Sequence, residues 1–123
     1  MSIKIPLEVA LMAQCREISQ VVSLLEVYYN PTEFAWYLVM QRQAHCVDLF
    51  EHIGESEKLE EWEARFLFRQ LAAVVSDCHQ QHVIHRDLKD DNVLLDRSRT
   101  RILLIDFGGG AFIQPEPFKD YTG

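Results

Sequence analysis

The twelve residues HRDLKDDNVLLD (85–96) set four aspartates, an arginine and a lysine around one short apolar run. A second unusual stretch, RILLIDFGGG (101–110), ends a strand-like apolar run in an acid, which a phenylalanine and three glycines follow. The ordinary explanation of the two stretches is a salt-bridged surface turn and an aspartate that caps a strand. The alternative is a chemical reaction that requires these residue types at this spacing.

A reaction on a polyphosphate would use these residues. In phosphoryl transfer the protein mainly holds magnesium, neutralises phosphate charge and orients the attacking hydroxyl group. Asp87 is placed to act as a base, and Lys89 follows two residues later, within reach of a phosphoryl oxygen. The Asn92 amide and the Asp106 carboxylate supply the hard oxygen ligands that magnesium prefers. The glycines after Asp106 allow the chain to turn sharply there.

The elements that must position this loop follow from hydrophobic periodicity, which distinguishes helices from strands. Predicted helices cover residues 6–19, 47–53 and 59–81, the second of them ending at Gly54. Predicted strands cover residues 21–29, 34–40, 92–96 and 101–105. The connector at 41–46 and the tail at 108–123 are predicted to be irregular. The charged loop therefore lies between a long helix and a strand hairpin.

The long helix has an apolar stripe at helical spacing, formed by Leu67, Leu71, Val74, Val75 and Cys78. Such a stripe predicts a helix that packs one face against the core. Trp62 and Phe66 stand four residues apart on a nearby face. Packing in the core or against a neighbouring lobe is the interpretation we favour for both aromatic residues, in preference to a ligand-binding role.

Composition restricts the classes of function. The chain has 123 residues, of which 48% are hydrophobic and 25% charged, as in one globular domain or part of one. The net charge of −7 argues against nucleic-acid binding, which depends on basic residues. Three widely spaced cysteines without a C-x-x-C pair indicate reduced thiols, neither a disulfide framework nor a zinc site. No secretory signal or membrane-spanning run is evident, so a cytoplasmic or nuclear location is expected.

The two stretches match a pair of known motifs. Residues 85–92 fit H-R-D-L-x-x-x-N, the protein-kinase catalytic loop, and residues 106–108 fit D-F-G, its metal-binding motif. Either motif alone is moderate evidence, because three-residue matches are common. Both motifs in this order, on a helix, loop and hairpin, are strong evidence for a kinase.

The sequence resembles the PIM serine/threonine kinases over most of its length. IPLEVALM (5–12) is similar to their helix αC, VSLLEVYYNPTEFAWYLVM (22–40) to two of their N-lobe strands, and VDLFEHI (47–53) to helix αD. The stretch from 60 to 96 is similar to helix αE and the catalytic loop. The resemblance implies an α+β fold, an incomplete bilobal kinase-like fold with an N-lobe part (1–40), a hinge (41–46) and a C-lobe part (47–123).

The resemblance also implies the roles of individual residues. Asp87 would accept the proton of the substrate hydroxyl, Lys89 would steady the γ-phosphate of ATP, and Asn92 and Asp106 would hold Mg²⁺. Glu8 stands where the family's αC glutamate pairs an ATP-anchoring lysine, although a glutamate in a first turn also complements the helix dipole. His85 is interpreted as a buried structural residue behind the loop.

The adenine and peptide sites are implied in the same way. Met40 corresponds to the gatekeeper, Gln41 to Gln43 to the hinge, and Leu94 and Ile105 to the floor and back of the adenine pocket. Gln43 replaces a hinge proline of the family, so a second hydrogen bond to adenine becomes possible. Asp48 and Asp91 match acidic positions near the ribose and a basic substrate peptide; solvated surface charge is the alternative for both.

Several kinase parts are missing from the sequence. It contains no G-x-G-x-x-G loop and no V-A-I-K lysine, and it ends before the A-P-E anchor and the later C-lobe helices. We therefore expect the central piece of a serine/threonine kinase, which needs those parts for activity and is a monomer when complete. Its expected partners are ATP and basic protein substrates, without nucleic acid or membrane. The alternative is a non-catalytic interaction module or decoy derived from a kinase.

Overall fold

The computed structural model describes residues 4–120, which form three α-helices and seven short strands. The helices are α1 (Leu7–Gln14), α2 (Leu49–Ser56) and α3 (Glu61–Gln80), and Asp90–Asn92 form a 3-10 turn. The strands are β1 (Leu24–Asn30), β2 (Ala35–Met40), β3 (Cys46–Asp48), β4 (Val83–Ile84), β5 (Val93–Asp96), β6 (Arg101–Leu104) and β7 (Ala111–Phe112). The predicted ranges 1–40 and 47–123 include residues 1–3 and 121–123, which lie outside the described residues.

The strands pair antiparallel in three small sheets, β1-β2, β3-β5-β6 and β4-β7. In the β5–β6 hairpin Val93 stands opposite Leu104. The pairing continues one step beyond the strands, because the Ile105 amide donates to the Asn92 carbonyl oxygen at 3.1 Å. The hairpin register therefore brings Asn92, just before β5, beside the end of β6, where Asp106 follows.

The core lies between α1, α3 and the β5–β6 hairpin. Alternating residues of the hairpin are buried, namely Val93 and Leu95 on β5 and Ile102 and Leu104 on β6. Burying each side chain of this size contributes roughly 1.5–3 kcal/mol. The remaining members of the buried cluster come from both helices and from the segments around them: Leu11, Met12, Cys15, Val21, Val22, Leu67, Val74, Cys78, Val83 and Phe107.

The segment after α1 is attached to the hairpin by hydrogen bonds. The Leu104 amide donates to the Gln20 carbonyl oxygen at 2.8 Å, and the Val22 amide donates to the Leu104 carbonyl oxygen at 3.1 Å. The Gln70 side-chain oxygen accepts from the Ile102 amide at 3.1 Å and from the Gln20 side chain at 2.9 Å. These bonds fix the distance between α1, α3 and β6.

Two predicted helix ends differ from the structure by three residues or more. Helix α1 begins after Pro6 and ends at Gln14, five residues earlier than predicted, where the Cys15 amide bonds back to the Leu11 carbonyl oxygen. Helix α2 does not end at Gly54 but continues to Ser56 and stops at Glu57, whose φ of 65° is left-handed. A glycine weakens a helix without ending it. The prediction of an end at Gly54 was therefore wrong.

Two short strands were also predicted as irregular or helical. Cys46–Asp48, placed in the connector and the start of the second helix, forms β3 and pairs with β5. Ala111–Phe112, placed in an irregular tail, forms β7 and pairs with β4. Neither segment has a strand-like pattern of its own. Both become strands because a partner from a distant part of the sequence offers them hydrogen bonds.

The predicted stripe on α3 is partly confirmed. Leu67, Val74 and Cys78 are buried and Leu71 packs against the core. Trp62 and Phe66 are 68% and 48% exposed, so the described residues do not provide the packing predicted for them. They lie away from the Leu67 face of the helix. No helix among residues 4–120 is long and apolar enough to cross a membrane.

Candidate active site

The charged loop folds around Asp87. The Asn92 side-chain nitrogen donates to the Asp87 carbonyl oxygen at 2.9 Å and to its carboxylate at 3.1 Å. Lys89 Nζ lies 3.8 Å from the same carboxylate. The Asp87 side chain is only 19% exposed, whereas that of Lys89 is 52% exposed. The structure thus brings three predicted site residues together, with the acid held in place and the lysine accessible.

His85 connects this loop to the end of β6. Its Nε2 donates to the Ile105 carbonyl oxygen at 2.8 Å, and its Nδ1 accepts from the Asp87 amide at 3.1 Å. The two bonds require the neutral ring with its proton on Nε2. The ring is 3% exposed and packs edge-on against Phe107, with 4.8 Å between ring centroids. This confirms the interpretation of His85 as a buried structural residue.

Asp106 has a left-handed backbone, with φ 62°, and an exposed side chain. Its Oδ1 accepts from the Gly108 amide at 3.1 Å. A Cβ atom at position 108 would lie 3.1 Å from that oxygen and 3.8 Å from Glu8 Oε2, so the two carboxylates are close. Burial, and secondly the charge of Asp106, raise the pKa of Glu8. Glu8 therefore faces another acid in the described part of the chain.

The donor set suits magnesium better than a soft metal. No group of three or more His, Cys, Asp or Glu side chains within residues 4–120 could hold a metal ion. Magnesium does not need such a group, because it is bound by one or two protein oxygens together with water and substrate phosphates. Asp106 offers an exposed carboxylate. Asn92 commits its amide nitrogen to Asp87, which leaves its amide oxygen as a ligand.

A cleft of about 520 Å³ opens beside these residues. It is lined by Glu8, Val22, Met40, Gln41, Gln43, Leu94, Ile105 and Asp106. Its volume falls in the range of small-molecule sites, roughly 300–1,000 Å³. Met40, Gln41, Gln43, Leu94 and Ile105, which were predicted for the adenine site, all line the cleft, whereas Arg42 of the hinge and Asp48, predicted near the ribose, do not. Val22 also lines the cleft but was not predicted to do so. Two adjacent valines have the same side chain, so the sequence does not indicate which of them faces the cleft.

The hinge residues that line the cleft have few backbone hydrogen bonds of their own. The Gln41 amide donates to the Ser23 carbonyl oxygen at 3.1 Å, which anchors the hinge to the segment before β1. The Gln43 side chain donates to the Gln41 carbonyl oxygen at 3.3 Å. Across residues 4–120, no acceptor pairs with the Gln43 backbone N–H. The Gln43 N–H is therefore available as a donor, and the second hydrogen bond to adenine stays a prediction.

Asp48 and Asp91 lie away from the cleft lining. The Asp48 carboxylate caps α2 by accepting from the Glu51 amide at 2.7 Å. The Asp91 side chain is 53% exposed, with its carboxylate 3.9 Å from Lys89 Nζ. The capping bond gives Asp48 a structural role that sequence analysis did not assign. The ribose and peptide roles of both acids stay predictions.

Arg86 forms a contact that sequence analysis did not predict. Its guanidinium donates two hydrogen bonds to the Asp120 carboxylate, at 3.0 and 3.1 Å, and its Nε donates to the Gly109 carbonyl oxygen at 2.9 Å. It also lies 4.7 Å from the centroid of the Phe118 ring. The guanidinium lowers the pKa of Asp120. No local pattern could reveal this pair, because 34 residues separate its members.

The sequence of the whole chain, residues 1–123, matches the protein kinase domain. It is 38% identical to the serine/threonine-protein kinase prk-2 of Caenorhabditis elegans over 98% of the chain and 27% of that relative. It is 34% identical to the serine/threonine-protein kinase pim-2 of Danio rerio over 84% of the chain and 33% of that relative. It is 35% identical to the PAS domain-containing serine/threonine-protein kinase of Mus musculus over 90% of the chain and 8% of that relative.

Two facts follow from these similarities. The chain spans about a quarter of the prk-2 sequence and a third of the pim-2 sequence. Relatives with other names match as well as pim-2 does, so the similarity does not single out the PIM family. The mixture of helices and strands agrees with the predicted α+β kinase-like fold.

Proposed function

Because the chain belongs to the protein kinase domain family, we propose that it is a segment of a serine/threonine kinase, which transfers the γ-phosphate of ATP to protein hydroxyl groups. The hydrogen bonds from Asn92 to Asp87 carry this proposal. They orient the Asp87 carboxylate and the Asn92 amide, with Lys89 Nζ 3.8 Å from that carboxylate, while Asp106 lines the cleft. Positioned groups of this kind are what phosphoryl transfer requires of a protein.

Each residue has one task in the proposed reaction. Asp87, oriented by Asn92, accepts the proton of the attacking hydroxyl group. Lys89 neutralises charge on the phosphoryl oxygens from its exposed position beside Asp87. The Asn92 amide oxygen and the Asp106 carboxylate hold magnesium, which supplies further charge neutralisation when bound. Leu94 and Ile105 pack against the adenine ring, while Met40, Gln41 and Gln43 contact its edge.

The finer parts of the proposal rest on family resemblance. Lys89, two residues after Asp87, is the serine/threonine pattern. PIM-like selectivity for basic substrates would use the acidic side chains of Asp48 and Asp91. We further propose a cytoplasmic or nuclear enzyme that is a monomer when complete and binds neither nucleic acid nor membrane.

Turnover should require parts that the sequence lacks. Glu8 has an acid beside it where the resemblance implies a lysine partner. Without that lysine and a glycine-rich loop over the phosphates, the cleft has few groups to orient ATP. We propose that the 123-residue chain alone gives no measurable phosphotransfer, and that the Gly-rich loop, the lysine and the late C-lobe restore it.

The test begins with the natural product, captured by an antibody to residues 85–106 and weighed intact. A product of about 30 kDa or more, the mass of roughly 250 residues, is then assayed for transfer of labelled phosphate to an arginine-rich peptide. Asp87→Asn should abolish transfer, whereas Asp90→Asn, an equal charge change at an exposed neighbour, should leave it. Activity that survives Asp87→Asn would contradict the proposed base.

A non-catalytic interaction module is the second candidate. The exposure of Trp62, Phe66 and Phe68 on α3 favours it, because an apolar surface of this kind often marks a site of protein contact. It predicts a natural product of 14.4 kDa that binds a protein partner saturably without phosphotransfer. A product of this mass with Asp87-dependent kinase activity would exclude the module.

A further inference from the structure

A second cavity, of about 230 Å³, lies behind the hinge. Three segments that are distant in sequence form it: the residues after α1, the hinge, and the β5–β6 hairpin. We call it the rear cavity. Its polar lining includes Ser19, Ser23, Asp96, Arg99 and Arg101. No role in nucleotide chemistry accounts for this concentration of polar groups.

The rear cavity is separate from the cleft. Val21 and Ser23 line the rear cavity, whereas Val22 between them lines the cleft. The two cavities thus lie on opposite sides of this segment. Gln41 and Gln43 line both of them, so the hinge forms the wall that they share.

The charges of the rear cavity do not cancel. The Asp96 carboxylate is occupied by its own turn, because one oxygen accepts from the Ser98 amide at 3.0 Å and from its hydroxyl at 2.6 Å. Its other oxygen lies 3.9 Å from Arg99 Nε, beyond hydrogen-bond distance. The Arg101 guanidinium donates to the neutral Ser19 hydroxyl at 2.7 Å and has no carboxylate partner within residues 4–120. Two guanidinium groups thus face one carboxylate.

Three apolar side chains, Val21, Ile102 and Leu103, contribute the hydrocarbon part of the wall. Cys46 and the two hinge glutamines complete the lining. The volume is below the range of roughly 300–1,000 Å³ that is usual for drug-sized ligands. A ligand that fills the cavity therefore has one anionic group and a short apolar body. The planar fork of a guanidinium binds a carboxylate through paired hydrogen bonds.

We propose that the rear cavity is a binding site for a monocarboxylate with a small apolar group, which Arg101 and Arg99 hold by its carboxylate. One negative charge balances the excess of one guanidinium over Asp96. A dianionic phosphate is disfavoured, because its second charge would face the Asp96 carboxylate. The same carboxylate chemistry is available in a free organic acid and in an acidic side chain of a peptide.

The test is a nuclear magnetic resonance titration of the ¹⁵N-labelled 123-residue chain with benzoate, which has one carboxylate on a small apolar ring. Benzamide, with the same shape and no charge, is the matched probe. Benzoate should shift the Arg101 Nε–Hε signal and bind at least about tenfold more tightly than benzamide, as expected for a charge-assisted contact. A capped peptide with one central glutamate, and its glutamine counterpart, show whether a peptide side chain also enters.

The variants identify the site. Arg101→Gln should weaken benzoate binding about tenfold and leave benzamide binding unchanged. Arg69→Gln removes the same charge from an exposed position of α3 outside the rear cavity and should have no effect. Circular dichroism checks that each variant folds. If Arg101→Gln does not fold, Arg99→Gln, at a side chain that is 72% exposed, provides the same comparison.

Each outcome decides the proposal. A preference for benzoate that Arg101→Gln or Arg99→Gln removes and Arg69→Gln retains supports it. Equal affinities for benzoate and benzamide, or equal losses in the Arg101 and Arg69 variants, overturn it. Tighter binding of inorganic phosphate than of benzoate at the same signals would overturn the assignment to carboxylates.

Discussion

Two glycine substitutions should change stability in opposite directions. Gly110 lies where β7 begins beside α1, and none of the described glycines has a positive φ, so its role is steric. A Cβ atom there would lie 2.9 Å from the Ile84 carbonyl oxygen and 2.9 Å from Leu11 Cδ1. At Gly54, within α2, an added Cβ atom would meet nothing within 4 Å. The same chemical change is thus crowded at one site and free at the other.

The magnitudes follow from these contacts. In Gly110→Ala the Ile84 carbonyl oxygen is backbone and cannot rotate away, so β4 or α1 must move. Overpacking of this kind costs about 1–3 kcal/mol. In Gly54→Ala the helix gains the better propensity of alanine, about 0.5–1 kcal/mol. We therefore expect the two variants to differ by about 1.5–4 kcal/mol in the free energy of unfolding.

Urea denaturation followed by far-ultraviolet circular dichroism measures both variants beside the parent chain. The slope with urea concentration should stay constant, which shows that the midpoint shift reports stability. Gly110→Ala should move the midpoint down and Gly54→Ala should move it up. A neutral or stabilising Gly110→Ala would show that Ile84 and Leu11 leave more room at position 110 than the two distances of 2.9 Å imply, and would refute the steric argument.

Three further predictions concern charge and thiols. Because burial and Asp106 raise the pKa of Glu8 above 4.5, ionisation of Glu8 opposes folding, and the contribution of Glu8 to stability falls as the pH rises from that value. Urea denaturation at acidic and neutral pH should show that Glu8→Gln gains stability relative to the parent chain as the pH rises, whereas an unchanged difference or a relative loss would contradict the assignment. A thiol reagent should label the partly exposed Cys46 first, because Cys15 and Cys78 are buried and should react only on unfolding. Mass spectrometry of tryptic peptides gives the order of labelling. Asp120→Asn removes the charge that Arg86 binds and should increase hydrogen exchange across residues 109–120, whereas unchanged exchange would show that the pair does not hold this segment.

The geometry of the charged loop could be predicted from the sequence because it is local. Asp87 and Asn92 are five residues apart, and the bonds between them close within one loop. Asp106 is farther away, but the hairpin between β5 and β6 determines its position, and two short apolar runs joined by a polar turn predict a hairpin. The sequence motifs, their spacing and the hairpin register therefore all predict that these three residues lie near one another.

The features that were missed depend on contacts between distant segments. The strand β7 exists because β4 pairs with it, and the Asp120 side chain is positioned by Arg86. Sequence periodicity contains no information on such partners. The rear cavity is a further case, because its walls come from three segments with unremarkable local patterns. The described residues do not bury Trp62 and Phe66; helical spacing identifies a face of a helix without identifying what covers it.

The candidate site has two parts, the charged loop and the cleft, and different contacts hold each of them in place. His85 bonds to both the Asp87 amide and the Ile105 carbonyl oxygen, while Ile105 bonds to Asn92. The catalytic loop and the end of β6 are thus connected through buried or backbone groups. The cleft instead requires α1 and the hinge, which reach the hairpin through the bonds of Gln20, Val22 and Ser23. The charged loop is therefore tied to the end of β6 by these bonds, whereas the cleft also needs α1 and the hinge to be held against the same hairpin.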